Sequence, residues 1–290
     1  MDIKQNPFSL YDFLGYFIPG AFLAYTLFFV SSYVIPNPPL SFFVSKINFD
    51  KPEIYVPFVI FSYVCGHVLS FLSSITIEQY AIWQFGYPSK FLLGVRNQGY
   101  FANIKNDKFI NILIRVLVAI AVFPVTFLDI VFGQLLNMRV LYTKSLDPLL
   151  VGVINSKVKS VFIKCASING ADVNELIDHD FFRYVDHYAL EKAPYHVPKM
   201  QNYVALYGFL RTLTLIFCFF FWLLVIHLLG VKQIINSTWA EKNGILLLGL
   251  LALIAYVLFM AFAKFYRRYS LESLMALTVV YPQNSETDHL

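Results

Sequence analysis

Long uncharged apolar runs alternate along the chain with shorter charged stretches. Four runs reach the roughly 20 residues that a helix needs to cross a hydrocarbon core of about 30 Å. They are Phe13 to Ile35, Tyr55 to Ile77, Gly208 to Leu229 and Gly244 to Ala263. A fifth run, Phe109 to Gly133, is interrupted by Arg115, Pro124 and Asp129. Each charge near a helix centre costs about 2.5 to 3.5 kcal/mol on insertion scales, so this segment reads as amphipathic or interfacial and not as a span. The pattern predicts an all-α membrane protein with about four transmembrane helices. A first hairpin occupies residues 1–80, an α-helical domain 81–200 is inserted between the second and third spans, and a second hairpin with a C-terminal helical extension occupies 201–290.

The inserted domain has its own helical periodicity. Asp147-Pro148 opens a run in which Leu150, Val153, Ile154, Val158, Val161 and Phe162 recur at helical spacing. Asp172 with Glu175 forms a capping-box-like start for a second helix carrying Val173, Leu176, Ile177, Phe181, Tyr184 and Tyr188 on one face, ended by Pro194 and Pro198. From Met200 the pattern runs unbroken into the third span. The fourth continues past Lys264 toward Leu277, giving two helices that project from the bilayer.

Composition agrees with the runs. The chain is 58% hydrophobic and 14% charged, where a soluble domain carries about 25% charge, which excludes a soluble enzyme domain. A net charge of +4 is too small for bulk attraction to nucleic acid. Three cysteines make no disulfide framework. The first run follows a near-neutral stretch with Asp2, Lys4 and Asp12 and no small-residue cleavage site, so it reads as a retained anchor. With four spans, eighteen Lys and Arg fall on one side and four (Lys46, Lys51, Lys232 and Lys242) on the other. A fifth span would leave fourteen against eight. The stronger asymmetry places both termini and the middle domain in the cytoplasm of a multi-pass protein.

The second span carries the most informative polar pattern. His67, Ser70, Ser74 and Glu78 stand at i, i+3, i+7 and i+11, on one helical face. Lipid does not tolerate that face, so it looks at water or protein. In one reading it lines an aqueous pore with Glu78 at the cytoplasmic mouth. In the other, Gly66, Ser70 and Ser74 form small-x-x-x-small spacings and the face packs helix on helix. Gly15, Pro19, Gly20 and Ala24 let the first span kink and pack closely, and Pro19 frees a carbonyl that needs another donor.

Asp178-His179-Asp180, Asp186-His187 and His196 invite a metal or hydrolase reading, yet the spacing supplies no His-x-x-x-His or His-x-x-Glu pair. An Asp180/Arg183 ion pair on a polar helix face accounts for the cluster better. Nucleophile-elbow, phosphate-loop and dinucleotide fingerprints are absent, so no catalytic residue, metal or cofactor is expected. A membrane-embedded hydrolase using the Asp178–His196 region and a non-catalytic scaffold stand as alternatives. Lys157, Lys159, Lys164, Arg183, Lys192 and Lys199 interleave with Phe162, Phe181, Phe182, Tyr184, Tyr188, Tyr195 and Tyr203. Cations hold phosphates and rings stack on bases, so the set suits a nucleotide or short oligonucleotide; the alternative is a solvated face beside anionic lipid.

Asn6-Pro7-Phe8-Ser9-Leu10-Tyr11-Asp12-Phe13-Leu14-Gly15-Tyr16-Phe17-Ile18-Pro19-Gly20, Tyr63-x-x-Gly66-His67, Tyr207-Gly208-Phe209-Leu210-Arg211 and Phe265-Tyr266-Arg267-Arg268-Tyr269-Ser270 resemble small bacterial membrane effectors of anti-phage defence operons. In size, span count and basic cytoplasmic domain the chain looks like the channel effectors of the Hailong defence system. That resemblance implies a homo-oligomeric, tetrameric ion channel in the bacterial inner membrane. It implies closure by an oligodeoxyadenylate that a partner nucleotidyltransferase makes, and opening on infection to depolarise the cell. It carries a role and no site residues. A single polar stripe cannot enclose water alone, so a pore needs symmetry-related copies.

Overall fold

The computed structural model describes residues 12–34, 55–95, 97, 99–101, 109–165, 180–230 and 238–280. Among them every regular element is helical and no strand occurs. In chain order the helices are α1 (Ile18–Val34), α2 (Tyr55–Ser73), α3 (Gln79–Phe85), α4 (Pro88–Leu92), α5 (Phe109–Ala121), α6 (Phe123–Leu128), α7 (Pro148–Cys165), α8 (Phe181–Lys192), α9 (Val197–Leu228) and α10 (Thr238–Val280). Three π-helical turns, Phe13–Phe17, Ser74–Glu78 and Asp129–Leu135, interrupt the apolar helices.

Three stretches are long and apolar enough to cross a membrane, namely Tyr55–Leu92, Val197–Leu228 and Asn243–Val280. Phe109–Ala121 and Phe123–Leu135 make a fourth if the pair is counted as one broken span, for they meet at an 85° bend. The first run appears as the shorter apolar helix Phe13–Phe28, with helical backbone to Val34 and its predicted end, Ile35, outside the described residues. These helices are consistent with a membrane protein of three or four spans.

The chain divides into two compact units. The first unit, residues 1–81, 104–139 and 205–262, is built inside out relative to a soluble bundle. On α2, Ser62 and Ser73 are fully buried while Phe71 is 64% and Val68 53% exposed. Small residues let backbones approach, and lipid solvates the large apolar ones. α1 crosses α2 at Gly20 and Gly66. A Cβ on Gly20 would lie 1.8 Å from the Ser62 carbonyl oxygen, and one on Gly66 1.9 Å from that of Tyr16. Just before that crossing, Pro19 has no N–H to continue the ladder. The preceding turn is π, with the Ile18 N–H donating to the Phe13 carbonyl. Phe22 stacks on Phe217 of α9, and Tyr80 of α3 packs on Phe259 of α10.

Arg115, Pro124 and Asp129, the interruptions noted in the sequence, sit in the bent pair. The break is at Val122, with Pro124 in the first turn of α6. The carbonyls around it are all engaged. The Val118 carbonyl accepts from the Val122 N–H at 3.0 Å, the Thr126 hydroxyl donates to the Ala119 carbonyl at 3.3 Å, and the Trp222 indole N–H donates to those of Ile120 and Ala121 at 3.2 and 3.1 Å. Non-helical backbone at membrane depth survives only with such internal partners.

The second unit, residues 82–103, 140–204 and 263–290, has an ordinary apolar core. Phe91, Leu92, Ile154, Val158, Val161, Phe162, Phe181, Val185, Leu274 and Leu277 pack together. The Asp147 carboxylate caps α7 by accepting from the Leu149 N–H, and Ile154, Val158, Val161 and Phe162 are its buried face, as the periodicity predicts. Asp172 through His179, with the capping-box start, lie outside the described residues; among the described ones α8 has Asp180 as its N-cap. One expectation changes. Pro198 does not end a helix; it sits in the first turn of α9, where its missing N–H is no loss.

The C-terminal part of α10 is tied to this unit by polar contacts. Arg267 donates to the Lys144 carbonyl at 2.8 Å, and the Tyr269 hydroxyl donates to Asp186 at 2.7 Å. Glu272 is held by His196 at 2.9 Å and Lys199 at 2.7 Å. These groups lie outside the apolar runs Gly208 to Leu229 and Gly244 to Ala263 that the longer helices contain. Burial alone would raise the Glu272 carboxyl, but hydrogen bonds from Lys199 and His196 hold it below its ordinary range.

Candidate functional site

Within one chain, the polar stripe along α2 and the π turn after it meets two environments. His67 is exposed and stacks on Tyr16, ring centroids 4.0 Å apart, with Tyr63 edge-on at 4.6 Å. Ser70 and Glu78 both engage Arg211 of α9. Its Nη2 donates to the Ser70 carbonyl and hydroxyl at 3.3 Å, its Nε to the Ser73 hydroxyl at 3.1 Å, and its Nη1 to the Glu78 carboxylate. The Ser73 hydroxyl also lies 3.3 Å from that of Thr212. Ser74 donates to the Phe71 carbonyl of its own helix. The helix-packing reading thus describes Ser70 and Glu78 inside the chain, while His67 keeps an exposed edge.

Local sequence explains the cluster. Glu78 ends an uncharged run except for His67, and Arg211 precedes one reaching Ile226, so each charge stands at the edge of an apolar stretch and finds its countercharge there. The π turn Ser74–Glu78 departs from the regular backbone ladder, a feature often seen at functional sites. The two side chains are 11% and 20% exposed. In the sequence Arg211 stands out as one of eighteen basic residues on one side and as the end of the Tyr207–Arg211 string, with no link to Glu78; the signal available was a lone cation and a lone carboxylate at the same predicted membrane boundary.

A second ion pair in the first unit differs in character. Asp129 is wholly buried, and Arg139 grips both its oxygens, with Nε to Oδ1 at 3.2 Å and Nη2 on Oδ2. The Tyr80 hydroxyl approaches Oδ2 at 3.4 Å. A Cβ on Gly133 would lie 2.3 Å from Asp129 Oδ1, so the glycine makes room for the fork.

The predicted ligand residues are divided. Lys157, Lys159 and Lys164 lie along α7, and Arg183 and Lys192 along α8. Much of the interleaved aromatic set is core: Phe162 and Phe181 are buried, and Tyr184 packs on Phe162. Arg183 makes the predicted i, i+3 pair with Asp180 at 3.6 Å, and Lys192 pairs with Glu191. Of the six interleaved cations only Arg183 lines a cleft of about 510 Å³, with Lys90, Tyr87, Phe182, Asp186 and Tyr266. Lys90 and Tyr87 were missed because they stand far from Arg183 in the sequence. Asp186 Oδ2 accepts from Tyr269, while its buried Oδ1 has no protein partner. Among the described residues no group of three or more His, Cys, Asp or Glu is placed to hold a metal; Asp178 and His179 lie outside them.

Comparison with protein-family models, with curated proteins and with solved structures finds no match for this chain. The geometry of its own residues carries the functional reading.

Proposed function

We propose that the chain is the subunit of an oligomeric, ligand-regulated ion channel, non-enzymatic, that acts as the toxic effector of a bacterial anti-phage defence system. The observation that carries this reading is the charged and hydroxylated face of the second span, where Glu78, Ser70, Ser73 and Arg211 meet beside a π turn. Ionisable groups inside apolar helices are costly and mark ion pathways or switches. His67, Ser70, Ser74 and Glu78 line the conduction path once copies of the chain, four by the resemblance, assemble. The inserted domain and both termini lie in the cytoplasm of the inner membrane. There the cleft offers Lys90 and Arg183 to phosphate and Tyr87, Phe182 and Tyr266 to a base, which suits a nucleotide or short oligodeoxynucleotide from a partner nucleotidyltransferase.

Cation flux from liposomes holding the purified protein tests the reading. Flux from the wild type closes on addition of a short oligodeoxyadenylate. It is lost in Ser70→Leu/Ser74→Leu, whose apolar constriction dewets, while crosslinking shows the oligomer intact. Wild-type conductance in the fully assembled double variant overturns the assignment of the path. An assembled wild type that passes no ions with or without the oligonucleotide overturns the channel.

A further inference from the structure

The two ion pairs of the first unit are built differently, and the difference points to a gate. The Asp129–Arg139 pair is a fork whose carboxylate is fully buried and whose geometry depends on Gly133. That is the construction of a fixed structural link. Arg211 instead touches the Glu78 carboxylate through one nitrogen, and its other two go to neutral oxygens: the Ser70 carbonyl and hydroxyl and the Ser73 hydroxyl. Both partners keep some exposure, 11% and 20%, and Ser74 and the exposed His67 continue the same face.

One carboxylate with three neutral oxygens is a ligand set suited to a hard cation, which favours oxygen donors. Here a cation is already present, tethered to α9. A guanidinium has donors on all three nitrogens and no acceptor, so it saturates such a cradle and neutralises its charge. The contacts to the serines are exchangeable, because water or a free ion satisfies the same oxygens.

We propose that Arg211 is a tethered plug: its guanidinium occupies a cation-binding cradle made by Glu78, Ser70 and Ser73, and its departure opens that cradle to a free monovalent cation. The gating role rests on the channel reading above; the cradle itself does not. In the plugged state the Glu78 charge is neutralised, so the face no longer attracts a free cation, and one side chain both fills the cradle and removes its pull on ions. Departure of Arg211 leaves Glu78 charged and facing the hydroxyls, which turns a closed face into a cation-attracting one.

The experiment uses the full chain in liposomes and detergent, with guanidinium as the probe. Arg211→Ala empties the cradle. It is expected to leak cations about tenfold or more above the oligodeoxyadenylate-closed wild type, the factor that loss of charge-assisted hydrogen bonds gives. Millimolar guanidinium is expected to block that leak and to raise the variant's melting temperature, with neither effect in Glu78→Gln/Arg211→Ala. An assembled Arg211→Ala that stays closed and ignores guanidinium, beside a conducting wild type, overturns the plug and leaves the channel standing. If neither protein conducts but guanidinium stabilises Arg211→Ala selectively, the channel reading falls and the gating role falls with it. Should Arg211→Ala fail to accumulate, Arg211→Gln is judged by the same leak; failure of both to reach the membrane assigns the pair to folding and overturns the proposal.

Discussion

Removing either partner of the Asp129–Arg139 pair should cost unequal amounts, and the inequality follows from burial. Asp129 has no exposure, whereas Arg139 keeps 22%. Arg139→Met removes both hydrogen bonds of the fork from a fully buried carboxylate, which the Tyr80 hydroxyl approaches only at 3.4 Å. Breaking a buried pair this way costs about 3 to 5 kcal/mol. Asp129→Asn leaves a guanidinium that turns toward solvent, so the expected loss is the smaller one of a charge-assisted hydrogen bond, about 1.5 to 3 kcal/mol. The double variant should cost less than the sum of the two, with a coupling of about 1 to 3 kcal/mol, because residues sharing one network are non-additive. The assay is reversible unfolding of the purified protein in mixed detergent, read by tryptophan fluorescence, with four proteins closing the cycle. Single variants that add within about 0.5 kcal/mol, as independent sites do, would refute the reasoning. So would an Arg139→Met protein no less stable than Asp129→Asn.

Other expectations follow from separate contacts. Gly66→Ala places a Cβ 1.9 Å from the Tyr16 carbonyl oxygen and should destabilise by at least the about 1 to 3 kcal/mol of ordinary overpacking. Gly15→Ala, with nothing within 4 Å, is the control, and equal melting temperatures for the two would contradict the close crossing. Because the Glu272 carboxyl is held below its ordinary range, its contribution is complete above the unfolded carboxylate value and is lost as pH falls through the lower folded one. Glu272→Gln should therefore flatten the acid limb of a melting-temperature profile, and an unaltered limb would count against the His196–Glu272–Lys199 cluster. Charge reversal at Lys90 and Arg183, which line the cleft, should weaken binding of a short oligodeoxynucleotide and reduce its salt dependence; unchanged binding and slope would remove the cleft as the site.

The long apolar runs were legible because crossing a bilayer demands length and composition, and both are local properties. α9 and α10 continue beyond their apolar stretches as the unbroken pattern predicts, and α7 buries the residues that its periodicity selects. What escaped was pairing across the sequence. Glu78 and Arg211 are 133 residues apart, and no periodicity links them. The cleft draws on Tyr87 and Lys90, on Arg183 and Asp186, and on Tyr266, three separate segments. Pro198 misled for a different reason. A proline reads as a terminator wherever a helix precedes it, yet the same ring is favoured in the first turn of the next one. In the segment from Phe109 the composition marked an interruption correctly, but the backbone partners from Thr126 and Trp222 that make a bend tolerable lie outside any linear signal.

The length of α10 exceeds what a span requires. Its 43 residues rise about 1.5 Å each, roughly 65 Å in all, about twice the thickness of a hydrocarbon core. It contains no proline, and its glycines, Gly244 and Gly249, both lie near its start. Beyond them no glycine or proline interrupts its backbone. A span needs only about 20 residues, so more than half of this helix is backbone that crossing a membrane does not require, and the hydrogen bonds of Arg267, Tyr269 and Glu272 belong to that remainder.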